Sequence, residues 1–147
     1  MTRRNLLDLS VVLALAQPGT ERNRKAREWV DSVGSLACRI CSLTERDFVR
    51  VFSDPTVRPQ PDGLLLATAI LQFWKGLSVY PRWPMPTELS WADLTQPFAA
   101  RIYGHQQVTD AYLLGLAIKE DGVLVTFDRG IKYLAGEEFR RNVLILE

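Results

Sequence analysis

One histidine, His105, and two cysteines, Cys38 and Cys41, are all that 147 residues offer in imidazole and thiol. A single imidazole excludes a two-histidine acid/base pair, and with two thiols it falls short of a four-ligand structural zinc site. Charge of one sign is also missing. The 18 basic and 17 acidic side chains leave a formal +1, without the overall positive field of an architectural nucleic-acid binder, so any such binding is local. No apolar run approaches the roughly 20 residues that span a bilayer. The opening "MTRRNLLDLS" places a carboxylate where a signal peptide stays apolar. The expectation is a cytoplasmic protein without a membrane segment, whose chemistry falls to carboxylates or thiols.

What is present is an ordinary globular composition, 47% hydrophobic and 24% charged, enough for one unaided domain over residues 1–147. "RNLLD" reads as a short strand. Ser10 opens an apolar helix, "VVLALA", stopped by "QPG". From Thr20 to Val33, apolar Ala26, Trp29, Val30 and Val33 follow helical spacing among Arg22, Arg24, Lys25 and Arg27. "SLACRI" reads as a buried strand, "SLTERDFVRVFSDP" as a helix closed by Pro55, and the prolines at 55, 59 and 61 as a loop. "LLLATAILQFWKGL" is a helix expected to be packed on both sides, and "SVYPRW" a candidate strand leaving it. Residues 84 to 100 give no firm pattern. Thr109 is placed to cap the helix "DAYLLGLAIKEDG", which feeds the strand "VLVTF"; a short helix "IKYLAG" and a last strand "NVLIL" follow. Strands separated by helices predict a three-layer α/β/α domain around a parallel sheet of four to five strands.

In such a fold the crevice lies at the carboxyl ends of the strands, so acids there come first. Asp8 sits among Leu6, Leu7 and Leu9, where an unpaired carboxylate is strongly disfavoured; either backbone amides of the following turn satisfy it or a partner does. Asp128 ends a strand before "RG", as a turn acid also would. Asp110 stands in the first turn of its helix, a place the helix dipole favours anyway. Glu45 shares a face with Phe48, Val49 and Phe52, yet Ser42 and Glu45 also match the S-x-x-E capping box. Several such acids in one crevice are unfavourable without a cation, and oxygen donors suit magnesium or manganese.

The order of these residues resembles the PIN-domain ribonucleases, and among them the VapC-type toxins of toxin–antitoxin pairs. The matching pieces are "LLDLS", "LTERDFVRVFSDP" and, most specifically, "VTDAYLLGLAIKEDGVLVTFDRGI". The resemblance implies that Asp8, Glu45, Asp110 and Asp128 form the family's acidic quartet around one or two Mg2+ or Mn2+ ions. It also implies that Ser10, Thr109 and Thr126 orient those carboxylates. Many such toxins have Asn where Ser10 stands, and histidines frequent after the first helix are replaced by "GTERNRK". The implied activity is hydrolysis of RNA phosphodiester bonds leaving a 5′-phosphate and a 3′-hydroxyl, with a cognate antitoxin as inhibitor and a homodimer as assembly. RNA would be held by Arg129, Arg22, Arg24 and Lys25. The apolar helices between residues 43 and 77 offer surface for self-association or antitoxin docking.

Two other readings compete. Cys38 and Cys41 form C-R-I-C between a strand and a helix, as in a thiol–disulfide redox protein, although no Trp precedes the pair and no Gly-Pro separates it. A catalytically silent PIN-like binding module would keep the fold and only engage a partner. A haloacid-dehalogenase-like phosphatase would place a second Asp where Ser10 stands. His105 reads as a loop residue, and Trp74, Trp83 and Trp91 as packing residues.

Overall fold

The computed structural model describes residues 3–147; Met1 and Thr2, with which the expected domain begins, lie outside the described residues. Strands β1 (Asn5–Leu7), β2 (Cys38–Arg39), β3 (Val123–Thr126) and β4 (Val143–Ile145) form one sheet in the order β2-β1-β3-β4, and every pairing is parallel. Helices α1 (Leu9–Ala16), α2 (Glu21–Val33), α3 (Ser42–Phe52) and α4 (Gly63–Gly76) fall between β1 and β3, together with α5 (Trp91–Thr95) and α6 (Val108–Lys119); α7 (Gly130–Ala135) joins β3 to β4.

Alternation along the strands separates two cores, because successive side chains leave opposite faces of a sheet. Leu6 and Leu124 pack with Leu113, Leu114, Phe98 and Ile131 under α5, α6 and α7. Leu7 and Val125 pack with Val11, Ala26, Phe48 and Ala67 under α1 to α4. This is the expected α/β/α sandwich. Among the described residues no helix is long and apolar enough to cross a membrane.

The order of strands has a consequence for function. From β1 the chain crosses outward to β2, and from β3 outward to β4 on the other side, so the connections diverge between β1 and β3. A crevice opens at the carboxyl ends of the strands at such a switch point. Asp8 follows β1 directly, and Asp128 follows β3 after one residue. Helix α6 returns to the start of β3 through a tight turn at Glu120–Gly122, which leaves its own first turn, with Asp110, at the same edge.

Several local expectations are corrected. Helix α1 starts at Leu9 with Asp8, not Ser10, as its N-cap, the Asp8 side chain accepting from Val11 N. Thr109 does not cap α6: the helix begins at Val108 after Gln107. "SLACRI" contributes a strand only at Cys38–Arg39, because Ser35–Ala37 winds into a 3-10 turn. "SVYPRW" forms no strand; Ser78 and Tyr80 have φ of 55° and 52°, incompatible with extended pairing, and one bridge, Ile40 to Arg82, remains. Helix α4 is packed on one side only: Gly63 and Ala67 are buried, whereas Leu65 is 76% and Phe73 63% exposed.

Close seating of α5 on α6 depends on Gly115, where an added Cβ would lie 2.6 Å from the Leu94 carbonyl oxygen. Gly115→Ala is expected to cost about 1–3 kcal/mol through overpacking, read as a lowered urea or thermal midpoint; an unchanged midpoint would contradict this seating.

Candidate active site

Asp8 is buried at the end of β1, and its two oxygens are held by donors from three places. Oδ1 accepts from Ser10 Oγ at 2.6 Å and from Val11 N at 3.2 Å, while Oδ2 accepts from Thr126 Oγ1. The same hydroxyls accept in turn from the strand that follows: Phe127 N donates to Ser10 Oγ at 3.0 Å and Asp128 N to Thr126 Oγ1 at 2.9 Å. A chain of hydrogen bonds thus ties the end of β1 to the end of β3 and fixes where Asp8 and Asp128 stand. Burial still raises the Asp8 pKa, and these donors oppose the rise. The turn-amide reading of Asp8 is therefore realised, and Asp8 alone demands no cation.

Asp128, exposed just beyond β3, accepts from Gly130 N at 2.8 Å through Oδ1. Asp110 is different. No donor among the described residues reaches its carboxylate, and its pKa is pushed up to about 7, first by burial and then by the negative charges of Asp8 and Asp128. Each acid has a comfortable local explanation, yet the fold sets Asp8, Asp110 and Asp128 close enough to repel one another. Among the described residues, no group of three or more His, Cys, Asp or Glu side chains is placed to hold a metal ion as it stands. An open set of carboxylates suits a hard cation that retains several waters better than one enclosed by protein.

Glu45 stands apart from that trio and does not figure among the charges that raise Asp110. The capping box is not formed: Cys41 occupies the N-cap of α3, Ser42 is already helical, and no side chain caps the helix. Glu45 instead pairs with Arg82, Oε2 to Nη2 at 3.1 Å. Arg82 escaped the sequence reading because "SVYPRW" looked like a strand, and nothing in its spacing marks it. Thr109 is exposed on the first turn of α6 and makes no hydrogen bond to the acids among the described residues, unlike Ser10 and Thr126.

Of the basic candidates, Arg22 lies with its guanidinium 5.0 Å from the Phe127 ring, next to Asp128. Arg129 pairs with Glu147 at 3.6 Å. Arg24 is engaged on its own helix by Glu21 and Glu28, which leaves little charge for a phosphate, and Lys25 is half-buried beside it. The thiols do not form a redox pair: both are free and buried, Cys38 in one core layer and Cys41 in the other. Burial pushes the Cys38 thiol up to about 12. His105 is exposed, Trp74 and Trp83 pack inward, and the partly exposed Trp91 donates to Val108 O at 3.0 Å.

No family model matches the chain. Among curated proteins it is 35% identical over 141 residues to "Ribonuclease VapC38" of Mycobacterium tuberculosis, covering 96% of each. It is 33% identical over 132 residues to "Ribonuclease VapC44" of the same organism, covering 90% of this chain and 91% of the relative. Among solved structures it aligns with a chain of FitAcB from Neisseria gonorrhoeae at a TM-score of 0.59 and 14% identity, covering 97% and 96%. A chain of FitAB bound to an IR36 DNA fragment gives the same score at 16% identity, covering 89% and 90%. These two likenesses establish the fold.

The raised Asp110 pKa carries a signed consequence. A carboxyl titrating near 7 when folded and near 3.8 when unfolded binds more protons in the folded state between those values. Its contribution to stability is therefore full below about pH 4 and lost as pH rises through 7. In EDTA, wild type should lose of order 2–4 kcal/mol relative to Asp110→Asn between pH 4 and 8, measured as the difference in urea midpoints. Parallel pH profiles for the two proteins would show that Asp110 is not crowded.

Proposed function

The chain belongs to the VapC-type PIN-domain toxins, and from that membership we propose an endoribonuclease that hydrolyses RNA phosphodiester bonds with magnesium or manganese at the β1–β3 switch point. The observation that carries this is Asp110: a half-buried carboxylate without a protein donor, raised to about 7 beside Asp8 and Asp128. Such a group is stabilised as an anion by a cation at that place, and the donor set is oxygen throughout.

In this reading Asp8, Asp110 and Asp128 would hold the ion, with Glu45 from the first turn of α3 as the fourth acid. When bound, the divalent ion supplies positive charge to the scissile phosphate and acidifies the attacking water. The protein's own contribution is positional. Ser10 and Thr126 lock the Asp8 carboxylate in one orientation, and they couple that orientation to the Asp128 backbone. Asp110, whose pKa lies at about 7, would hold the ion as the carboxylate. Arg22 and Arg129 flank the Phe127–Asp128 segment and attract the RNA backbone.

A cognate antitoxin and a second copy of the chain are the proposed protein partners. Leu65, Phe73 and Leu77, spaced along the exposed side of α4, give an apolar stripe of the kind that marks a protein interface.

In a cleavage assay on a mixed RNA substrate, wild type should cut with manganese or magnesium and stop in EDTA. Asp8→Asn and Asp110→Asn should each lose at least about a hundredfold in rate while remaining folded. Cutting in EDTA, or wild-type rates from Asp110→Asn, would refute the assignment. Glu45→Gln breaks a part-exposed ion pair and should cost less than about 1 kcal/mol of stability yet depress activity; lost stability with full activity would make Glu45 structural.

A further inference from the structure

Glu45 also lines a cavity of about 560 Å³ whose other walls the proposed chemistry does not use. Its walls are α3, one face of α4 and the segment from Ser78 to Arg82. Thr68, Leu71, Gln72 and Lys75 recur at helical spacing, so α4 turns a continuous stripe toward the space, which exposed Leu64 and Leu65 continue at the start of the helix. The volume falls within the range of about 300–1,000 Å³ typical of small-ligand pockets.

The lining has the chemistry of a nucleotide site. Trp74 and Tyr80 form an aromatic wall, and both are held in place: Trp74 stacks on Phe48 at 6.2 Å and meets Tyr80 edge-on at 5.1 Å. Gln72 supplies an amide that both donates and accepts, and Lys75 a cation. Arg82 lines the cavity together with Glu45, the one acid it contacts. Its Nη2 pairs with Glu45 at 3.1 Å and its Nη1 donates to Ser42 Oγ at 2.7 Å, while its side chain is 63% exposed. A guanidinium has five N–H donors, so this anchoring leaves others free for a phosphate.

The backbone that delivers these groups is strained. Ser78 and Tyr80 are two of the three non-glycine residues with positive φ among the described residues. Such conformations are disfavoured for residues with a Cβ and cluster at binding sites. Here the turned segment sets Tyr80 in the cavity wall and Arg82 against Glu45.

We propose that this cavity is a nucleotide subsite for the RNA strand: one base enters against Trp74 and Tyr80, and its phosphate sits on Arg82, beside Glu45. This rests on the ribonuclease reading. Arg82 is then a positioning residue, and Gln72 is placed to read the base. RNA is favoured over a peptide because the polar lining is an amide and two cations, with Glu45 already engaged by one of them.

The test is fluorescence anisotropy of a labelled RNA octamer of mixed sequence with the full chain in EDTA, where nothing is cut. Gln72→Trp and Thr68→Trp fill the cavity from exposed positions, and Arg82→Ala removes the phosphate contact. Each should weaken octamer binding about tenfold with an unchanged thermal midpoint, and Arg82→Lys should restore part of the loss. Octamer binding that is absent in wild type, or equal in wild type and the filled variants, overturns the subsite. So does a filled variant that binds RNA normally but loses self-association, which would assign the cavity to a protein. Failure of wild type to cut RNA with manganese would instead refute the ribonuclease reading.

Discussion

Because β1 and β3 are parallel neighbours whose connections leave in opposite directions, the residues just after them stand side by side at one open edge of the sheet. The pairing Leu6 to Leu124 and Leu7 to Val125 sets this register. A hydrogen-bonded latch, in which Ser10 and Thr126 both donate to Asp8 and both accept from the backbone after β3, completes it. Without the latch Asp8 would be a buried carboxylate with one backbone partner at the head of α1. With it, Asp8 is anchored and pointed, and Asp128 follows at a fixed offset.

The crowding of acids opposes the stability that the same packing supplies. Asp8 has donors enough to remain buried, and Asp128 is open to water. Asp110 has neither advantage, being half-buried and lacking a donor, and so it bears the repulsion of the other two. A folded chain can relieve this by keeping a proton or by accepting a cation. The two compete for the same oxygens, which couples metal uptake to proton release.

Much of this was legible in residue order. Strands of alternating apolar residues separated by helices gave the layers, and acids at strand ends gave Asp8, Asp110 and Asp128. The resemblance to PIN-domain ribonucleases placed Ser10 and Thr126 beside them. Local rules misled where tertiary contacts outweighed them. Ser42 and Glu45 fit a capping box, but Arg82 from a distant segment draws Glu45 away. Thr109 has the chemistry of a cap, yet the helix starts one residue earlier. "SVYPRW" has strand-like composition, but its positive φ angles turn it into a cavity wall. Apolar content in α4 could not say which side faces the core, since Ala67, Ile70 and Trp74 pack inward while Leu64, Leu65 and Phe73, equally apolar, stay outside.

The measurement closest to the central claim is titration calorimetry of manganese into the metal-free protein at pH 7, repeated in two buffers of different ionisation enthalpy. The account predicts saturable binding in which roughly half a proton leaves per ion, as expected for a carboxyl titrating near 7. Asp110→Asn should bind more weakly and release none. Absence of binding, or binding of equal strength without proton release in both proteins, would contradict it.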